Sequence, residues 1–200
     1  MRKILINEIN QNGQKYVFYL ILIIIGIFLG TFYYSKIYKN ENSYDVVEET
    51  INYIKNEKID YKVLLNKYLK RDLQELLIII IISISLLYKY GSYFYFCYKG
   101  FTIGFLISFL IMALPGIKGI VFSIGTILLP NIIKIPVFLF CHFHLMLLLK
   151  SIIERDYDNK YVIIKKNILK VGIVFIITII NCFFNTFLFN NVLVILKNIF

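Results

Sequence analysis

Cys141-His142-Phe143-His144 is the densest run of metal-ligating side chains in this sequence, and it holds both histidines of the chain. In a helix, residues two apart point roughly 200° away from each other, so the two imidazoles do not chelate one ion together. Cys141 and His144 share a face and offer two ligands, whereas a structural zinc site wants four. The better expectation is histidines that hydrogen-bond across neighbouring helices. Three cysteines, Cys97, Cys141 and Cys182, lie in or beside apolar segments with no CxxC pair. They read as small packing residues, not as a disulfide framework.

The acids are absent where chemistry at membrane depth would need them. No Asp or Glu occurs between Glu75 and Glu154, nor in the first or last apolar run. Coupled transporters and intramembrane aspartyl proteases depend on such a carboxylate. HExxH, GxSxG, Walker A and kinase signatures are missing too. The expectation is a protein that is not an enzyme and needs no cofactor.

What must position these residues is a membrane domain. Of 200 residues, 59% are hydrophobic and only 17% charged, too few charges to cover a soluble surface. The net charge of +10 comes from lysines spaced singly between apolar runs (Lys15, Lys36, Lys89, Lys99, Lys118, Lys134, Lys150). That is the pattern of helix anchors at headgroups and not a nucleic-acid-binding patch.

Hydropathy and breakers predict an all-α integral membrane protein of about five transmembrane helices: 16–35, 73–92, 100–115, 132–149 and 171–196. The first is too long for a signal-peptide core and lacks a small-residue cleavage site. Eight of the twelve acids and eight of the twenty-two bases fall in 36–75. Val47, Ile51 and Ile54 recur there at helical spacing, and Asp60 reads as the N-cap of a second helix bearing Leu64, Leu65, Tyr68 and Leu69. Segment 36–72 is thus expected to be a short external helical hairpin. Breakers at Pro115-Gly116 and Pro130-Asn131 make 116–131 a re-entrant or broken segment, and 150–170 a cytoplasmic loop. Lys and Arg tally equally on the two sides, eleven each. Arg2, Lys3 and Lys15 before the first helix favour an inside N-terminus.

Two stripes of small residues, Gly26 and Gly30 in the first helix and Gly100, Gly104 and Ser108 in the third, allow backbones to approach closely. Phe101 and Phe105 flank the second stripe. Tight helix packing or homo-oligomerisation follows from this pattern. Asn131, between Pro130 and Pro136, is placed to pin a broken backbone by hydrogen bonding.

Lys99-Gly100-Phe101-Thr102-Ile103-Gly104-Phe105, then Gly116-Ile117-Lys118-Gly119, then Pro130-Asn131 and Ile135-Pro136, occur in an order that resembles the stage II sporulation protein M family. Tyr16-Val17-Phe18 with Gly26 and Gly30 fits the same pattern. The likeness covers about 15–37 and 95–150; Leu129-Pro130-Asn131 stands where that family has Pro-Gln-Asn. The resemblance implies a polytopic scaffold in a bacterial cell membrane, on the mother-cell side of the sporulation septum. It would recruit a membrane-anchored peptidoglycan hydrolase and, through it, a lytic transglycosylase, thinning septal wall during forespore engulfment.

The residues assign partner contacts to the hairpin (Tyr44–Leu69) and the Gly100–Ser108 face. The rival is a permease or channel subunit lined by the broken helix around Pro130–Pro136, with Lys134 serving an anion path. A snorkelling Lys134 at the interface is the simpler expectation. An envelope-morphology protein acting outside sporulation is a third possibility.

Overall fold

The computed structural model describes residues 2–37, 60–85, 88–114, 116–153 and 160–199. All its regular elements are helical: α1 (Arg2–Ile37), α2 (Tyr61–Ile84), α3 (Tyr88–Ala113), α4 (Ile117–Ser123), a π-helical turn (Ile124–Leu128), α5 (Leu129–Ile153) and α6 (Lys160–Ile199). Among the described residues, four stretches are long and apolar enough to cross a bilayer: Gly13–Lys36, Tyr88–Ala113, Ile117–Leu149 and Ile164–Val192. The chain is a multi-pass membrane protein by that criterion. Its outward surface agrees, with Phe28, Phe32, Phe94, Ile117, Ile176, Ile180 and Phe187 all exposed, a belt that water would not tolerate but acyl chains would.

Helices α1 and α3 run side by side in the same direction. Tyr19 meets Tyr93 and Phe96 at one end, and Tyr34 meets Phe105 and Phe109 at the other. Helix α2 packs antiparallel to α3 and also against α5 and α6, and α6 runs back along α5. The largest buried cluster joins Tyr19 and Ile23 of α1, Leu76 and Ile79 of α2, Phe96 of α3, Phe138 to Leu145 of α5, and Val174 of α6.

Several expected boundaries move. The segment 73–92 is not one span. Ser85 leaves the helical region (φ −70°, ψ 157°), its N–H closes on the Ile81 carbonyl, and its own carbonyl receives the N–H of Tyr88 to start α3. Hydropathy missed this turn because apolar residues flank it on both sides. The third helix therefore begins at Tyr88, twelve residues before the expected start at 100.

The second helix of the expected hairpin is not a separate surface element. Asp60 does cap it, accepting from Lys62 N–H at 2.9 Å, but the helix continues to Ile84. Tyr68 packs against Phe189 of α6, so the bundle includes the stretch assigned to the surface. The helix expected around Val47, Ile51 and Ile54, and most of Tyr44–Leu69, lie outside the described residues.

The backbone is helical without interruption from Ile117 to Ile153, where a re-entrant 116–131 and a break before 132 were expected. Proline normally breaks a helix because its ring strikes the carbonyl of residue i−4 and its nitrogen has no proton. Here the wide π turn immediately precedes Pro130 and relaxes that conflict. Asn131 Nδ2 donates to the Ile127 carbonyl at 2.7 Å, within a backbone that stays helical where it was expected to pin a break. Pro136 sits inside α5. Gly116, with φ +64°, turns the chain from α3 into α4. A Cβ at Gly119 would lie 2.7 Å from the Leu110 carbonyl, so only glycine lets α4 fold back this closely. The stretch expected as a cytoplasmic loop, 150–170, is helical to Ile153 and again from Lys160, with 154–159 outside the described residues.

Candidate functional site

Near the midpoints of α2 and α3 and in the second turn of α5, five charged side chains converge. Asp72, with 0% of its side chain exposed, accepts from Lys134 Nζ at 2.6 Å and from Arg71 Nε at 3.1 Å. Lys134, 3% exposed, also lies 2.6 Å from Glu75. Glu75 in turn receives Lys99 Nζ on both oxygens at 2.8 Å. Cys182 of α6 closes the cluster, its Sγ 3.5 Å from Asp72 Oδ2. The result is an alternating chain, Arg71–Asp72–Lys134–Glu75–Lys99, that ties three helices together, with Cys182 of α6 against it. Each carboxylate meets two cations, and an unpaired charge at Asp72 or Lys134, both almost fully buried, would cost several kcal/mol.

This arrangement corrects two expectations. Lys134 does not snorkel; it is the central cation of the cluster. A carboxylate does reach the bundle interior, since α2 carries Asp72 and Glu75 inward from a stretch that composition had assigned to a surface loop. The signal was present in the phase of the helix. Asp72, Leu76, Ile79 and Ser83 fall at i, i+4, i+7 and i+11, and all four are buried. Lone lysines within apolar runs, Lys99 and Lys134, likewise ask for an acid supplied by another helix.

The glycine stripes form the tightest helix contact. A Cβ on Gly26 would strike the Cys97 carbonyl, one on Gly30 the Phe101 carbonyl, one on Gly100 the Ile23 carbonyl and one on Gly104 the Ile27 carbonyl. All four glycines thus face one another within the chain, zipping α1 to α3. Phe101 and Phe105 stack on each other, with Tyr33 over both. Ser108 lies beyond the zipper, lining an open groove with Phe28, Thr31, Ser35 and Met112.

A second polar knot lies toward the Tyr19 end of α1. His142 Nδ1 is 2.7 Å from Ser83 Oγ, and Nε2 is 3.1 Å from Tyr19 Oη, which is 2.8 Å from Ser92 Oγ. Ser83 gives its own proton to the Ile79 carbonyl at 2.6 Å. The ring proton therefore belongs on Nδ1, donated to Ser83; Ser92 in turn gives its proton to the Lys89 carbonyl at 3.0 Å, so the one Tyr19 hydroxyl proton is shared between Ser92 Oγ and His142 Nε2. His144 Nδ1 meets Asn167 Oδ1 at 3.3 Å. Both histidines thus bond across helices, as the sequence led one to expect. No group of three or more His, Cys, Asp or Glu placed to hold a metal occurs among the described residues.

Four buried residues carry polar atoms with no partner among the described residues: Tyr95 at Oη, Asn131 at Oδ1, and two asparagines at both amide atoms. Asn181 and Asn185, one helical turn apart on α6, have no hydrogen-bond partner for either amide atom among the described residues. Asn190 and Asn191 are exposed.

Beside the charge cluster, between α2, α3 and the π turn with α5, is a cavity of about 300 Å³. Arg71, Glu75, Lys99 and Lys134 line it, with Thr102, Thr126, Asn131 and Tyr95. What these residues can do is hold charge and bind polar atoms inside an apolar bundle. Comparison of the chain with protein-family models, with characterised proteins and with solved structures finds no match.

Proposed function

We propose that this chain is a non-catalytic membrane scaffold that recruits peptidoglycan-degrading enzymes to the sporulation septum during forespore engulfment. The reading rests on the ordered resemblance to the stage II sporulation protein M family. The observation that carries it furthest is that Gly26, Gly30, Gly100 and Gly104, all part of that resemblance, meet in one backbone-to-backbone contact. Lys99, of the same motif, ties the adjoining helix into the charge cluster. A scaffold needs such rigidity, because co-localising hydrolases raises their effective concentration only if their positions are held. A membrane-anchored hydrolase and a lytic transglycosylase are the partners. The test is deletion of the gene, with membrane-stained cells followed through sporulation. Septa whose mother-cell membrane fails to enclose the forespore support the scaffold; normal engulfment overturns it.

The rival reading, a permease or channel subunit, gains a specific argument from the Asp72–Lys134–Glu75–Lys99 chain. Buried ionisable residues within a membrane bundle mark substrate and proton paths in many carriers. Solute or proton flux in proteoliposomes of the purified protein, lost in Asp72→Asn, favours this reading; the scaffold passes none.

A further inference from the structure

The charge cluster does not balance. Three cations, Arg71, Lys99 and Lys134, face two carboxylates, Asp72 and Glu75, leaving one positive charge in excess at the edge of a largely buried cluster. An excess charge beside a low-dielectric interior attracts a counter-anion. The structure offers a space for it. The 300 Å³ cavity beside the cluster is lined by all three cations, and a volume of that size suits a small-molecule ligand. Arg71 spends only its Nε on Asp72, and with 52% of its side chain exposed it keeps further N–H groups available.

Two lining residues carry unused polar atoms. Tyr95 Oη is buried without a partner among the described residues, and so is Asn131 Oδ1. A phenol can donate to an anion, and an amide oxygen can accept from a hydroxyl on the same ligand. One side of the lining is apolar and faces outward: Ile78, Tyr98 and Leu106 line the cavity and are also exposed on the outside of the bundle. An occupant that satisfies all of these has an anionic, hydroxyl-bearing head and an apolar tail.

We infer that this cavity binds a phosphate group, delivered by an anionic phospholipid whose head lies against Arg71, Lys99 and Tyr95 and whose acyl chains run past Ile78, Tyr98 and Leu106. The site is independent of the scaffold reading and stands or falls separately from it. Lys99 and Lys134 remain paired with their carboxylates, and Arg71 is the cation that the lipid phosphate neutralises.

The experiment uses full-length protein reconstituted in vesicles of equal parts phosphatidylglycerol and phosphatidylcholine, with the retained lipid identified by native mass spectrometry. The wild type retains phosphatidylglycerol selectively. Arg71→Gln, which removes the excess charge, weakens retention by about tenfold or more, the loss of one charge-assisted hydrogen bond. Tyr95→Phe, which removes only a hydroxyl, keeps the fold and weakens retention less. Inorganic phosphate is the second probe. If it binds the detergent-purified wild type in an Arg71-dependent way while neither lipid is retained, the anion site stands and its source is soluble phosphate. Equal retention of the two lipids, unchanged retention in both variants, or binding of neither probe overturns the inference.

Discussion

Asp72→Asn is the most informative single change in this protein. The substitution preserves shape and removes one charge from a side chain with no exposure at all. Lys134 then faces only Glu75, and Lys99 already occupies both oxygens of that carboxylate. Two ammonium groups share one acid, and Arg71 loses its partner. Stranding buried charge in this way costs about 3–5 kcal/mol. Lys134→Gln does the opposite: it leaves Arg71 with Asp72 and Glu75 with Lys99, two matched pairs, at about 1–3 kcal/mol for the lost bonds. Acid removal is therefore worse than base removal at the same contact. The assay is reversible unfolding in mixed detergent micelles titrated with SDS, followed by circular dichroism. The double variant completes the cycle, and its coupling should exceed about 1 kcal/mol because the two groups touch. If Lys134→Gln is the more damaging change, or if the two effects simply add, the charge count is wrong.

Three other outcomes follow. Gly26→Ala and Gly104→Ala push a methyl group into the backbone carbonyls of Cys97 and Ile27; each should lower stability by about 1–3 kcal/mol. Gly172→Ala, with nothing within 4 Å of its Cβ, should not lower it in the same unfolding assay. Tyr19→Phe removes the hydroxyl that lies between His142 Nε2 and Ser92 Oγ, while Ser92 keeps its bond to the Lys89 carbonyl, at about 1–3 kcal/mol. Its signature is a changed imidazole environment for His142 in nitrogen NMR, which an unrelated packing loss would not give. Asn181→Leu and Asn185→Leu replace buried amides that have no partner, so each should stabilise the isolated bundle by about 1 kcal/mol or more; destabilisation in the SDS titration would mean that these amides are satisfied in the membrane.

Much of the architecture was legible because bilayers impose simple rules. Twenty uncharged residues from Tyr16 to Ser35 have to be a helix, and the core of α1 lies there. The glycine stripes marked close packing, and close packing is what they make. Asp60 was recognisable as a cap because its side chain competes for the first free N–H of a helix. The misplaced boundaries share a cause. Proline and glycine were read as breaks, but a π turn absorbed Pro130, and a serine, not a glycine or proline, made the turn between α2 and α3. Neither event changes local hydropathy, so a hydropathy reading cannot see it.

The sequence by itself determined that this chain is apolar enough for a membrane, that it is helical, and that its glycine stripes serve close packing, within the chain or between copies. Each of these depends on composition or on spacing within one segment. Which residues pair across segments was decided only by the tertiary structure. Asp72 and Glu75 are separated from Lys134 by about sixty positions and from Lys99 by about twenty-five, and nothing local records which helix stands beside which. Low dielectric supplies the reason they had to meet: once α2 carries two acids into an apolar bundle, the only folded arrangement that holds them ionised is one in which lysines from other helices arrive at the same depth.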